Sequence, residues 1–179
     1  MRNKKAGGIF PPISYIMKFY YIKEDYINFL RNYDKKVSIN KNESRPYVGV
    51  LLTIDSKKYY APFTSPKPKH LKMKNSIDFR KINNGILGAI NLNNMIPVVE
   101  EAIIQFDINL ITDTKYKTLL QNQLYYIKKD WNNIIKASQE LYNLLMKPID
   151  KRTKYENLIC DRCCDLALLE KIFMNYISL

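Results

Sequence analysis

The chain has 179 residues, 46% of them hydrophobic and 26% charged, which is enough for one domain with a real core and argues against a wholly disordered chain. Lysine and arginine number 29 against 17 acids, and the resulting +12 charge favours a polyanionic partner, nucleic acid or an anionic membrane surface. No apolar run approaches the roughly 18 residues of a spanning helix, so the protein reads as soluble.

The first sixteen residues, "MRNKKAGGIFPPISYI", combine basic residues, two glycines and two prolines without a signal-peptide core. We read 1–16 as a leader or upstream-start extension, dispensable, with Met17 as an alternative start and 17–179 as a single domain. The leader carries Arg2, Lys4 and Lys5 and no acid, so the remainder still holds +9.

From Met17 the pattern is strand, helix, strands, helices. "KFYYI" reads as a strand, and "EDYINFLRNYD" as an amphipathic helix with Tyr26, Ile27, Leu30 and Tyr33 at helical spacing. After the polar stretch "KKVSINKNES", the segments "RPYVGVLLTI" and "KYYAPFT" flank Asp55-Ser56-Lys57 and read as a β-hairpin. "YYAPFTSPKPKHLKM" then closes a strand with Thr64 and Ser65 and adds Lys67, Lys69, His70 and Lys72, with Pro66 and Pro68 expected to keep that stretch out of regular structure. "GAINLNNMIPVVE" and "EAIIQFDI" supply further strands around Pro97. Leu120, Leu124, Ile127, Trp131, Ile134, Leu141 and Leu145 keep a three-four spacing, which predicts one long helix from Lys115 to Lys147 ending before Pro148. A last helix is expected from Cys164 to Ile177. The expected fold class is α+β, a twisted antiparallel β-sheet with helices packed on it.

Composition also narrows the chemistry. Fourteen tyrosines and seven phenylalanines beside the cations suit single-stranded RNA, where bases stack on rings and cations follow phosphates. A single histidine excludes a two-histidine ribonuclease mechanism. There is no Walker-type or Gly-x-Gly-x-x-Gly phosphate loop. Acidic residues are scattered, leaving a two-metal nuclease centre without ligands, and no cofactor is expected. Cys160, Cys163 and Cys164 form an odd, clustered set that speaks for a reducing cytoplasm. Without a second pair they are read as small apolar residues of a terminal helix rather than a zinc site.

Metal-free RNA cleavage needs little from the protein, because the ribose 2′-hydroxyl is a nucleophile already in the substrate. It must be aligned and deprotonated, the leaving 5′-oxygen protonated, and the charge on the phosphorane-like state offset. Thr64 and Ser65 can donate to non-bridging oxygens. Lys67 can offset charge or supply a proton. Arg45 precedes the hairpin strand whose partner ends at Thr64, so strand pairing can bring its guanidinium to the same sheet end. Taken alone, the same string is more simply read as an ordinary solvated turn.

Five blocks in order, "MKFYYI" at Met17, "RPYVGVLL" at Arg45, "YYAPFTSPKPKH" at Tyr59, "GAINLNNMIPV" at Gly88 and "KYKTLLQNQLYYIKK" at Lys115, resemble the ToxN/AbiQ family, the endoribonuclease toxins of type III toxin–antitoxin systems. The resemblance spans Met17 to Tyr176. It implies a fold similar to the MazF/Kid toxins and sequence-selective, metal-independent RNA cleavage leaving a 2′,3′-cyclic phosphate and a 5′-hydroxyl. It further implies a small pseudoknot RNA antitoxin processed from a repeat array, closed protein–RNA rings, cellular or phage RNA as substrate, and phage defence by abortive infection.

By position, Thr64, Ser65 and Lys67 match the family's active-site Thr-Ser-Pro-Lys string, and Arg45 its basic active-site residue. His70 matches a family histidine, with a phosphate contact, an acid role or a structural hydrogen bond open to it; Lys69 and Lys72 join it as RNA contacts. Asn91 and Asn93 either read bases or cap a turn. The aromatic that the family often carries shortly before the basic position is absent from "NKNES", so Tyr47 or Tyr59 is expected to supply stacking. The competing reading is a non-catalytic RNA-binding module with the same basic groove. Peripheral membrane binding fares worst, because the lysines are not gathered on one helix face.

Overall fold

The structure, a computed structural model, describes residues 17–176; the expected leader, 1–16, lies outside them. Strand β1 (Lys18–Ile22) leads into α1 (Glu24–Tyr33), whose first turn carries Glu24 and Asp25 where the helix dipole favours acids. Strands β2 (Tyr47–Ile54) and β3 (Lys57–Thr64) form the expected hairpin. Its two central residues, Asp55 and Ser56, have φ of 47° and 69°, the left-handed pair that a tight twisted hairpin requires. Asp55 is therefore a turn residue.

Short strands follow: β4 (Arg80–Lys81), β5 (Ala89–Ile90), β6 (Ile96–Val98) and β7 (Ile103–Gln105). Among the described residues they complete a seven-stranded sheet in the order β4-β5-β3-β2-β1-β7, with β6 also on β3, and every pairing is antiparallel. Strand β3 is the hub. It pairs with β2, with β6 at Lys58–Tyr60, and with β5 at Phe63 and Thr64. Thr64 thus ends the sheet's most heavily paired strand.

Alternation of side chains divides β2 and β3 between two cores. Phe19, Val48, Leu52, Tyr59, Ala61 and Phe63 pack on one face with Leu120, Ile127, Trp131, Ile134 and Leu141. Ile22, Tyr47, Tyr60 and Ile96 pack on the other with Tyr26, Ile27 and Leu30 of α1 and with Leu169 and Phe173.

The long C-terminal helix is two helices, α3 (Thr114–Lys129) and α4 (Trp131–Leu145). The hydrophobic spacing runs unbroken across the junction, but Asp130 sits at φ −98°, ψ 9°, and its carboxylate accepts from Arg80 at 2.7 Å and from Asn133 at 2.7 Å. A tertiary ion pair ends α3. The expected last helix is shorter than its sequence pattern, α6 covering only Leu166–Ile172, and a separate helix, α5 (Lys154–Asp161), precedes it. Thr153 and Glu156 form a reciprocal capping box at the start of α5, and Asp165 caps α6. Cys160 belongs to α5, while Cys163 and Cys164 occupy the turn, buried in opposite cores. The terminal-helix placement of the cysteines is corrected accordingly.

The basic stretch after Thr64 also differs from expectation. It holds a short helix, α2 (Pro68–Lys72), with Lys67 as the capping residue. Pro68 starts this helix rather than preventing it, since its fixed φ suits the first position and that position needs no N–H partner.

Candidate active site

The β2–β3 register brings the predicted residues together. Tyr47 pairs with Pro62, and the Phe63 N–H donates to the Pro46 carbonyl at 3.1 Å. Continuing that register by two residues places Arg45 across from Thr64. A bulge between Val48 and Leu52 makes this possible, because the pairing nearer the turn, Leu52 with Tyr59, follows a different register.

Around this sheet end lie two cavities that share Arg45 and Thr64 as walls. One, of about 250 Å³, is also lined by Lys67, Lys69, His70, Met73, Asp78, Phe79, Asn91, Asn93 and Arg162. The other, of about 160 Å³, adds Lys41, Ser44, Pro46, Phe63, Ser65, Tyr116 and Gln123. Lys72, at the end of α2, lines neither. Lys67 and Lys69 are exposed and form no ion pair among the described residues, so their charge is available to a ligand. Arg45 is oriented by its Nε–H, which donates to the Ile39 carbonyl at 2.6 Å. No group of three or more His, Cys, Asp or Glu side chains among the described residues is placed to hold a metal ion.

The Thr64 turn is held from behind. Buried Gln123 of α3 donates to the Leu87 carbonyl at 2.7 Å and to the Thr64 carbonyl at 3.4 Å. Gly88, at φ +102°, packs so closely that a β-carbon there would lie 1.9 Å from the Thr64 oxygen. Only glycine fits both that conformation and that approach.

His70 is 1% exposed, with its ring 5.9 Å from that of Phe79. Burial, with the charges of Lys69 and Lys67, holds its pKa below the usual histidine value. The imidazole is therefore neutral at physiological pH, suited to accept a proton or a hydrogen bond and poor as an acid. Its Nδ1 is buried and has no hydrogen-bond partner among the described residues.

The two asparagines separate in role. Asn93 is tied into the fold: its N–H donates to Asp78 at 2.8 Å, its side chain to the Arg162 carbonyl at 3.2 Å, and its carbonyl accepts from Cys164 at 2.8 Å. Asn91 is fixed through its backbone, donating to Pro62 at 2.9 Å, and its side-chain amide makes no hydrogen bond among the described residues.

Tyr47 and Tyr59 do not supply stacking. Both are fully buried, on opposite faces of the sheet, and the Tyr59 hydroxyl donates to Glu170 at 2.5 Å. Neither offers a ring face to RNA.

Sequence reasoning missed Asp78, Arg162 and Gln123. Asp78 is 3% exposed and accepts from Arg162 at 2.5 and 3.2 Å and from Ser76 at 2.6 Å. Burial raises its pKa, yet the hydrogen bonds from Arg162 and Ser76 outweigh that and hold the carboxyl below the usual range. Arg162 stands 84 residues away from Asp78, and nothing local links them. Gln123 did leave a signal: it falls on the same helix face as Leu120 and Ile127, a polar residue among core positions.

A family model described as Toxin ToxN, type III toxin–antitoxin system, matches residues 18–174. The chain belongs to this ToxN family. It is similar to Endoribonuclease ToxN of Pectobacterium atrosepticum, at 32% identity over 89% of this chain and 94% of that protein. Similarity to Endoribonuclease AbiQ of Lactococcus lactis subsp. lactis is 30% over 86% of each. Among solved structures, one from work on selective inhibition of a type III toxin by a non-coding RNA pseudoknot aligns with a TM-score of 0.79, at 30% identity, over 90% of this chain and 97% of that one. The structure of AbiQ, a lactococcal anti-phage endoribonuclease, aligns with a TM-score of 0.74 at 27% identity, over 89% and 97%. The mixed helix and antiparallel-sheet architecture expected from the sequence is thus the architecture of the family.

Proposed function

We propose that this protein is a sequence-selective endoribonuclease toxin whose active site is the Arg45–Thr64–Ser65–Lys67 sheet end. The observation that carries the reading is the convergence of two cations and two hydroxyls on adjoining cavities, in a member of the ToxN family. A scissile phosphate at the shared wall meets the Thr64 and Ser65 hydroxyls as donors to its non-bridging oxygens. Arg45 and Lys67 offset the negative charge that develops there. The substrate's 2′-hydroxyl attacks the phosphorus and the 5′-oxygen leaves, giving 2′,3′-cyclic phosphate and 5′-hydroxyl ends without a metal. His70, neutral and lining the cavity, orients or accepts; Lys69 and Asn91 contact flanking phosphate and base.

A small RNA pseudoknot occupies the same cavities as antitoxin, processed by the toxin from its own repeat precursor and joined to it in a closed ring of alternating protein and RNA. Released toxin cleaves cellular or phage RNA in the cytoplasm and aborts infection. We infer the MazF/Kid plan for the sheet on the same family grounds. The test is incubation of purified protein with RNA in EDTA. Fragments with cyclic phosphate ends are expected; cleavage seen only after Mg²⁺ is restored contradicts the mechanism. Binding without cleavage under both conditions would favour the RNA-binding module.

A further inference from the structure

With Tyr47 and Tyr59 inside the cores, the phenylalanine and tyrosine rings that wall the cavities are buried Phe63 and Phe79 and half-buried Tyr116, none of them an open platform of the kind single-strand binding uses. The exposed tyrosines among the described residues are Tyr33, Tyr125 and Tyr155, and Tyr155 lies two helical turns before Arg162, which lines the larger cavity. We propose that the outer face of α5, carrying Tyr155 and Leu158 and ending at the capping residue Arg162, is a platform for unpaired RNA bases, continuous with the active-site cavity; this rests on the RNA-cleaving reading of that cavity.

Spacings of three and four residues put these side chains on one face of the helix. Tyr155 is 66% exposed and Leu158 62%, while Ile159 on the helix's inner side is buried. Arg162 joins this face to the cavity, since it lines the cavity wall and its side chain is half exposed. Its guanidinium is held in place by Asp78 from below, and its Nη1 donates to the Leu158 carbonyl of the same helix at 3.5 Å.

The helix itself is fixed. The Thr153–Glu156 capping box sets its start, and Lys147 donates to both Glu156 oxygens at 2.9 Å. A ring and an aliphatic side chain flanking an oriented cation match a base stacked next to its phosphate. A second copy of a chain carrying +12 lacks that charge complementarity.

The experiment is steady-state cleavage of a short fluorescent single-stranded RNA by wild type, Tyr155→Ala, Leu158→Ala and Tyr155→Phe. Base stacking on one aromatic corresponds to a rise in KM of about 5- to 100-fold for Tyr155→Ala, with kcat little changed. Leu158→Ala should raise KM less, and Tyr155→Phe should recover the wild-type KM, because stacking needs the ring and not the hydroxyl. Fluorescence anisotropy of the same RNA with Lys67→Ala and with Lys67→Ala/Tyr155→Ala gives the comparison without cleavage, and the double variant should bind more weakly. An unchanged KM and affinity in Tyr155→Ala, or a Tyr155→Phe protein as poor as Tyr155→Ala, overturns the platform. A change in sedimentation without a change in RNA affinity would assign the face to a second copy and overturn it too. Failure of wild type to cleave any RNA would instead strike the proposed function, and the anisotropy arm would still decide the platform.

Discussion

Arg45 and Thr64 wall both cavities together, each two residues beyond the Tyr47–Pro62 pair on the side of the β2 bulge away from the hairpin turn. The Arg45 Nε is already engaged by the Ile39 carbonyl, which leaves the rest of the guanidinium to face the shared wall of the two cavities. Arg45→Ala should lower RNA cleavage by about 10²-fold, the range for removing one group that stabilises transition-state charge. Arg45→Lys should recover only part of that loss, since a point charge replaces a fixed fork. Single-turnover cleavage rates check both.

Gln123 and Gly88 hold the Thr64 turn from behind. Gln123→Leu strands the Leu87 and Thr64 carbonyls and should cost about 1–3 kcal/mol. Gly88→Ala should cost at least as much, with roughly 1–3 kcal/mol from backbone conformation alone before the clash with the Thr64 oxygen is counted. Urea denaturation measures the loss, and both variants should also cleave more slowly at temperatures where they remain folded.

The buried tyrosines give opposite forecasts. The Tyr47 hydroxyl is buried without a partner among the described residues, so Tyr47→Phe should be neutral or stabilising by up to about 1 kcal/mol. Tyr59→Phe removes the hydrogen bond to Glu170, which also meets Lys57 at 3.3 Å, and should destabilise by about 1–3 kcal/mol. RNA affinity should change in neither, as measured by anisotropy.

Two groups at the site tie stability to pH. His70 has its folded pKa lowered, so as pH falls below about 6.5 the unfolded chain takes up the proton first and stability declines. His70→Asn should flatten that part of the profile. Asp78 also has a lowered pKa, so its contribution is complete above about pH 4 and is lost as pH falls through the folded value. Asp78→Asn should remove this second, more acidic step. Urea midpoints across a pH series resolve the two.

Much of this arrangement could be read from the sequence because it is local. The hairpin, the Asp55–Ser56 turn, and the run from Thr64 to His70 lie in one stretch, and strand pairing alone carries Arg45 to it. What escaped is tertiary. Trp131 follows Ile127 at helical spacing, so periodicity cannot show that Arg80 draws Asp130 out of the helix. Tyr47 and Tyr59 look like ideal stacking residues until the alternation of β2 and β3 turns each into a core. Arg162 and Asp78 meet only through the fold, and Pro68 reads as a helix breaker unless its place at the first position is known.

Lys67→Ala is the most direct measurement of the account. Lys67 is exposed, lines the cavity and stands at the N-cap position of α2 without a capping hydrogen bond from its side chain, so its removal should leave the fold intact while taking one charge from the scissile phosphate. Cleavage should fall by about 10²-fold or more, growth inhibition on expression should disappear, and a stable complex with an antitoxin RNA should still form through its other phosphate contacts. A Lys67→Ala protein that cleaves RNA at the wild-type rate would contradict the assignment of this sheet end as the active site.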